Sequence, residues 1–117
     1  AAEVVPIPSQ PLSMDEQFLH KANQTLKGYV TASSFDIEKF ASEMNMTSTQ
    51  LRRKLKALTG QTITEFVRNY RLEKAAELLK QKAGTIAEIA FMVGFESPSY
   101  FSKTFMEKFG KAPSEWS

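Results

Sequence analysis

The sequence holds no cysteine and only one histidine, His20. Disulfides and thiolate metal sites are thereby excluded, and no cluster of His, Cys and carboxylate suited to zinc can be assembled. There is no glycine-rich phosphate loop and no carboxylate pair with a catalytic partner, so neither a cofactor nor an enzymatic activity is expected. No stretch approaches the roughly 18 apolar residues that cross a bilayer, and no membrane contact is expected. No signal-peptide pattern is visible and the first residue is Ala, so the chain reads as a piece of a longer cytoplasmic protein. Runs that alternate apolar and polar residues are also missing, which leaves an all-α class. What remains is an ordinary globular composition, 42% hydrophobic and 24% charged over 117 residues. That length fits one domain, or two small lobes sharing a helix.

What the chain does contain is a phrase said twice, about fifty residues apart. Residues 37–46 read IEKFASEMNM and residues 86–95 read IAEIAFMVGF. Each is a short amphipathic helix with a small residue at its centre, Ala41 or Ala90. Each ends at a residue that tolerates a left-handed turn, Asn45 or Gly94, followed by an apolar Met46 or Phe95. The parallel continues: Leu51, Leu55 and Gly60 stand fifty positions before Phe101, Phe105 and Gly110, and Thr64-Glu65-Phe66 is mirrored by Ser114-Glu115-Trp116. A helix, a tight turn and a second helix make a helix-turn-helix unit. Two such units in one small chain point to double-stranded DNA.

Charge is distributed in the same sense. Net charge is +2 overall, but residues 47–82 carry nine Lys or Arg against three Glu, or +6, while residues 1–46 carry −3 and residues 83–117 carry −1. A localised basic face attracts polyanions.

Capping signals place about seven helices. Residues 1–12, with three prolines, read as an interdomain linker. Ser13 caps a first helix whose apolar stripe is Phe18, Leu19, Ala22, Leu26 and Tyr29, and residues 31–34 form a loop. Asp36 caps the first repeat, with Phe35 and Phe40 spaced as a hydrophobic staple. Thr47 with Gln50, Thr62 with Glu65, and Thr85 with Glu88 have capping-box spacing. Ser97 before Pro98 is a cap with proline at the first helical position. The expected organisation is a first lobe over about 13–61, a long linking helix over about 62–82 stopped by Gly84, and a second lobe over about 83–117. At 21 residues the linking helix would span roughly 31 Å, close to the roughly 34 Å of one DNA turn.

In such units the first helix braces the second, which enters the major groove. Leu51, Leu55 and Leu58, then Phe101, Phe105 and Phe109, face inward. Thr49, Arg52, Arg53 and Lys56 in the first unit, and Ser99, Ser102, Lys103 and Tyr100 in the second, face outward. Arginine can fork onto guanine O6 and N7, whereas serine reads with little preference. The first unit is therefore expected to be the stronger reader and the second to position. Thr47, Ser48 and Ser97 lie at helix N-termini suited to phosphate. Arg68 and Arg71 on the linking helix either touch phosphate or pair with Glu65 or Glu73. Trp116 is expected to lid the second lobe, and His20 to be solvated.

The phrases MTSTQLRRKLKALTGQTITEFVRNYRLEKAAELL and IAEIAFMVGFESPSYFSKTFMEKFGKAPSEW resemble the C-terminal DNA-binding domain of AraC/XylS-type transcription regulators, over about residues 34–117. The resemblance implies two homeodomain-like lobes on adjacent major grooves, with base contacts from Thr49, Arg52 and Arg53, then Pro98, Ser99, Ser102 and Lys103. Pro98 cannot donate a hydrogen bond and Ser102 is short, departures that weaken the second reader. SMDEQFLHKANQTLKGYV and RRKLKALTG are similar to the output domains of hybrid two-component systems of Bacteroides type. That likeness implies a transcription-regulating output domain, dimerisation through upstream domains, RNA polymerase as a candidate further partner, and a membrane anchor if the whole protein is a hybrid sensor. The competing reading is a helical protein-interaction module whose basic face meets an acidic partner.

Overall fold

The computed structural model describes residues 13–28 and 36–116. Among these, six α-helices and one 3-10 turn follow in order: α1 Met14–Lys27, α2 Ile37–Glu43, α3 Ser48–Thr59, α4 Ile63–Lys80, α5 Ile86–Met92, α6 Pro98–Phe109, and the turn Pro113–Glu115. No strand occurs among them. The all-α, seven-element expectation holds. The proposed linker at 1–12, the loop at 31–34, Tyr29, and the Phe35 half of the staple lie outside the described residues.

The helices start where their first-turn N–H groups find side-chain acceptors. Ser13, Thr47, Thr62 and Thr85 each close a reciprocal capping box with Glu16, Gln50, Glu65 and Glu88. The Asp36 carboxylate accepts from the Glu38 N–H at 2.9 Å, and the Ser97 hydroxyl accepts from the Tyr100 N–H at 3.2 Å. The ends are as specific. Asn45 has φ 58° and Gly94 φ 95°, closing α2 and α5 in the same way, while Gly60 at φ 75° and Gly110 at φ 74° close α3 and α6.

α4 differs from its expected bounds. It has 18 residues rather than 21, about 27 Å of rise, and Gly84 does not stop it. Lys82 does, at φ 52°. Its N–H reaches the Leu79 carbonyl and the Ala83 N–H reaches the Leu78 carbonyl, at 3.1 and 3.0 Å. This bond pair ends a helix two residues before the glycine that looked like the stop signal.

Packing makes two lobes on one continuous core. α1 packs on α2 and α4, α3 packs on α2 and α4, α5 and α6 pack on each other and on α4, and the 3-10 turn packs on α6. α4 thus serves both lobes, with Ile63 and Val67 buried toward its start and Leu72, Ala75 and Ala76 toward its end. Ala41 of α2 and Ala90 of α5 are buried, small side chains that allow a neighbouring helix to approach closely. Leu51 and Leu55 are buried in the first lobe and Phe101 and Phe105 in the second, with Leu58 and Phe109 half-buried beside them. Trp116 stands edge-on to Phe105, with centroids 5.4 Å apart, and 4.7 Å from Phe109. The C-terminal tryptophan therefore closes the second lobe, adding aromatic contacts to its core. His20 is exposed.

Candidate nucleic-acid interface

The two turns between paired helices are nearly superimposable in bonding. The Asn45 N–H bonds the Ser42 carbonyl and the Met46 N–H bonds the Ala41 carbonyl; the Gly94 N–H bonds Phe91 and the Phe95 N–H bonds Ala90. Both are Schellman motifs, each folding an apolar residue (Met46 or Phe95) back toward the core. They differ by one residue. From the left-handed position to the next cap is two residues in the first unit, Asn45 to Thr47, and three in the second, Gly94 to Ser97. The extra residue is Glu96.

On α3, Thr49, Arg52, Arg53 and Lys56 are all exposed, as are Thr47 at the cap and, in part, Ser48. On α6, Ser99 and Lys103 are exposed, Ser102 is half-buried, and Tyr100 is exposed with its ring 6.1 Å from that of Phe95. α3 and α6 thus carry these side chains at their surfaces, Ser102 only in part. One position escaped the sequence reading. Met106, 53% exposed on α6, stands fifty residues after Lys56, so the second helix replaces a cation by an apolar side chain there. The repeat register alone would have found it.

The basic block of residues 47–82 sorts into distinct uses. The Lys54 ammonium lies 5.0 Å from the Phe18 ring centroid, Lys56 donates to the Gly60 carbonyl at 3.0 Å, Lys74 pairs with Glu77, and Lys80 lies 5.9 Å from the Trp116 ring centroid. Arg68 donates to the Tyr100 hydroxyl and Arg71 to the Gly94 carbonyl, each at 3.4 Å. Glu65 closes its capping box and Glu73 faces Lys108 at 3.6 Å. Arg52 and Arg53 have no hydrogen-bond, ion-pair or ring partner among the described residues. They are the two guanidinium groups the fold leaves facing solvent.

Between the lobes lies a cleft of about 490 Å³. Its floor is α4 from Thr64 to Arg71; one wall is Ile37 of α2 and the other runs from Gly94 to Tyr100. Burial of the Arg71 guanidinium pushes its pKa below the usual arginine value. No group of three or more His, Asp or Glu suited to a metal occurs among the described residues, and no described helix is long and apolar enough to cross a membrane.

Comparison with known proteins gives the same picture. Residues 40–117 match a family described as a helix-turn-helix domain. Over 104 residues the chain is 40% identical to histidine kinase P4 of Formosa agariphila, covering 89% of this chain and 8% of that protein. Over 109 residues it is 34% identical to the HTH-type transcriptional activator RhaR of Pectobacterium carotovorum, covering 93% of this chain and 38% of that one. The chain thus spans well under half the length of these relatives. Among solved structures it matches the C-terminal domain of AraT, a response regulator from Geobacillus stearothermophilus, with a TM-score of 0.74 and 30% identity over 89% of this chain and 86% of that one.

Proposed function

Because the chain belongs to the AraC-type helix-turn-helix DNA-binding family, we propose that it is the sequence-specific double-stranded-DNA-binding output domain of a two-component transcription regulator, acting in the cytoplasm. The observation that carries this most directly is the pairing of a duplicated helix–turn–helix with two adjacent arginines, Arg52 and Arg53, exposed on the first reading helix and engaged by nothing else. In this reading α3 and α6 enter successive major grooves. Thr49, Arg52, Arg53 and Lys56 read the first, with arginine forking onto guanine. Ser99, Ser102 and Lys103 address the second, with the exposed Met106 suited to a thymine methyl. Thr47, Ser48, Ser97, Arg68 and Arg71 hold phosphates. The first groove supplies most of the base discrimination and the second mainly register. The likeness to a histidine kinase and a response regulator supports phosphorelay as the upstream input, with dimerisation assigned to further domains outside this chain and RNA polymerase as a downstream partner.

The test is fluorescence anisotropy against duplex DNA at several salt concentrations, followed by selection of a preferred site. Saturable binding whose log affinity falls linearly with log salt is expected. On the selected site, Arg52→Ala and Arg53→Ala should each lose about 1–3 kcal/mol and relax base preference. Wild-type affinity and preference in both variants would refute the assignment of α3. Absence of binding near 50 mM salt, persisting in a tandem fusion of the domain, would favour the interaction-module reading.

A further inference from the structure

α5 has an outer face unlike that of its duplicate. Aligned position for position, residues 86–95 and 37–46 put Ala87, Glu88, Phe91 and Met92 of α5 where α2 has Glu38, Lys39, Ser42 and Glu43. All of these are exposed. The inner positions match in kind, with Phe40 and Ala41 buried in α2 and Ile89 and Ala90 buried in α5. The fold thus demands apolar residues only on the inner face, and α2 shows that the outer one accepts charge. On α5 that outer face carries Phe91, 54% exposed, and Met92, 42% exposed. Ala87 stands one turn before Phe91 on the same side. The one carboxylate there is turned to its own helix start, where Glu88 accepts the Thr85 N–H at 2.9 Å. Scattered exposed apolar residues are ordinary; an adjacent pair at a place where the same backbone elsewhere carries charge marks a contact surface.

Resting on the DNA-binding reading above, we propose that the outer face of α5 is a contact between two copies of this chain on neighbouring DNA sites, Phe91 and Met92 of one packing on the same residues of the other. A face with no free charge gives a foreign partner no charge pattern to recognise. It is complementary to itself across a two-fold axis, as an isologous contact requires. Its size sets when it forms. Phe91 and Met92, each about half exposed, offer on the order of 200 Å² per copy, against roughly 800 Å² per partner in a stable interface. The patch is too small to join two free domains. It acts once DNA holds them side by side and raises their effective concentration. Because α5 belongs to the second lobe, the two sites must be inverted with their second-lobe halves innermost. The second reading face, on α6, is left to the DNA.

The experiment compares the wild-type chain with Phe91→Ser and Met92→Glu, each of which installs the residue that α2 carries at the matching place. Binding is measured on one selected site and on inverted pairs of it, with spacers stepped through one DNA turn of about 10 base pairs. All three chains should bind the single site alike and melt alike. At one phase of the spacer, the wild-type chain should bind the second site roughly 5- to 150-fold tighter than the first, and both variants should lose that gain. Cooperativity that survives Met92→Glu, or that is absent at every spacing, overturns the contact and leaves the DNA-binding reading intact. A wild-type chain that binds no single site overturns both. A lower Tm or weaker single-site binding in both variants would make the pair part of the lobe or of the DNA face, and overturns the contact. Transcription in vitro from a single site with purified RNA polymerase tests the other occupant. Activation lost in Met92→Glu, with no cooperativity at any spacing, would give the face to the polymerase and overturn the contact between copies.

Discussion

Asn45 and Gly94 occupy the same place in two copies of one turn. Both take positive φ, at 58° and 95°, and in both the next residue donates its N–H to the carbonyl of the helix's central alanine at 2.9 Å, Met46 to Ala41 and Phe95 to Ala90. The two copies share one backbone geometry, adopted by an asparagine in the first and a glycine in the second.

Gly94→Val should therefore destabilise the second lobe, because a β-branched residue resists positive φ. A cost of about 1–3 kcal/mol is expected, or a fall in Tm of several degrees for a domain of this size. Asn45→Gly, which keeps the geometry, should change Tm little. Calorimetry that shows equal Tm values for Gly94→Val and wild type would refute the role assigned to the turn.

Lys82 predicts the opposite sign. It holds φ 52° at the end of α4, a conformation that costs a non-glycine residue about 1–2 kcal/mol. Glycine would remove that strain but add roughly 0.4–1 kcal/mol of unfolded-state freedom. Lys82→Gly should raise stability by about 0.5–1 kcal/mol, seen as a higher denaturant midpoint with unchanged m-value. A lower midpoint would show that Lys82 makes compensating contacts in solution.

The capping boxes should be visible in the acid limb of stability. Hydrogen bonds from the Thr62 and Thr85 backbone and hydroxyl groups hold the Glu65 and Glu88 carboxyls below their ordinary value of 4.5. A carboxyl whose pKa is depressed on folding contributes stability that is present above its unfolded pKa and lost as pH falls through the folded one. Glu65→Gln and Glu88→Gln should accordingly flatten the decline of Tm as pH drops below 4.5. Glu88 is exposed and Glu65 half-buried at the surface, so the effect will shrink with added salt. A decline in the double variant as steep as in wild type would mean that other carboxyls govern it.

Local chemistry made most of the fold legible from residues alone. A cap needs only a Ser, Thr or Asp and a backbone N–H two or three residues on, so every expected helix start among the described residues stands where its cap implied. The internal repeat located α3 and α6, since the same apolar spacing had to bury Leu51 and Leu55 in one lobe and Phe101 and Phe105 in the other. The end of α4 was misplaced because Gly84 is the stronger glycine signal, while the helix is ended by a backbone bond pair that lysine is able to complete. The exposed outer faces of α3 and α6 followed from the same periodicity that placed their inner ones.

Thus the sequence determined the helical class, the duplicated helix-turn-helix and the side chains offered outward, because each depends on contacts within a few residues along the chain. Tertiary structure decided which cations remain available. Lys54 and Lys80 turn to the rings of Phe18 and Trp116, far off in sequence, while Arg52 and Arg53 stay open. It also brought Arg68 beside Tyr100 and Arg71 beside Gly94, 32 and 23 residues apart in sequence. Such contacts are set by how the second lobe packs on α4, and no periodicity along the chain encodes them.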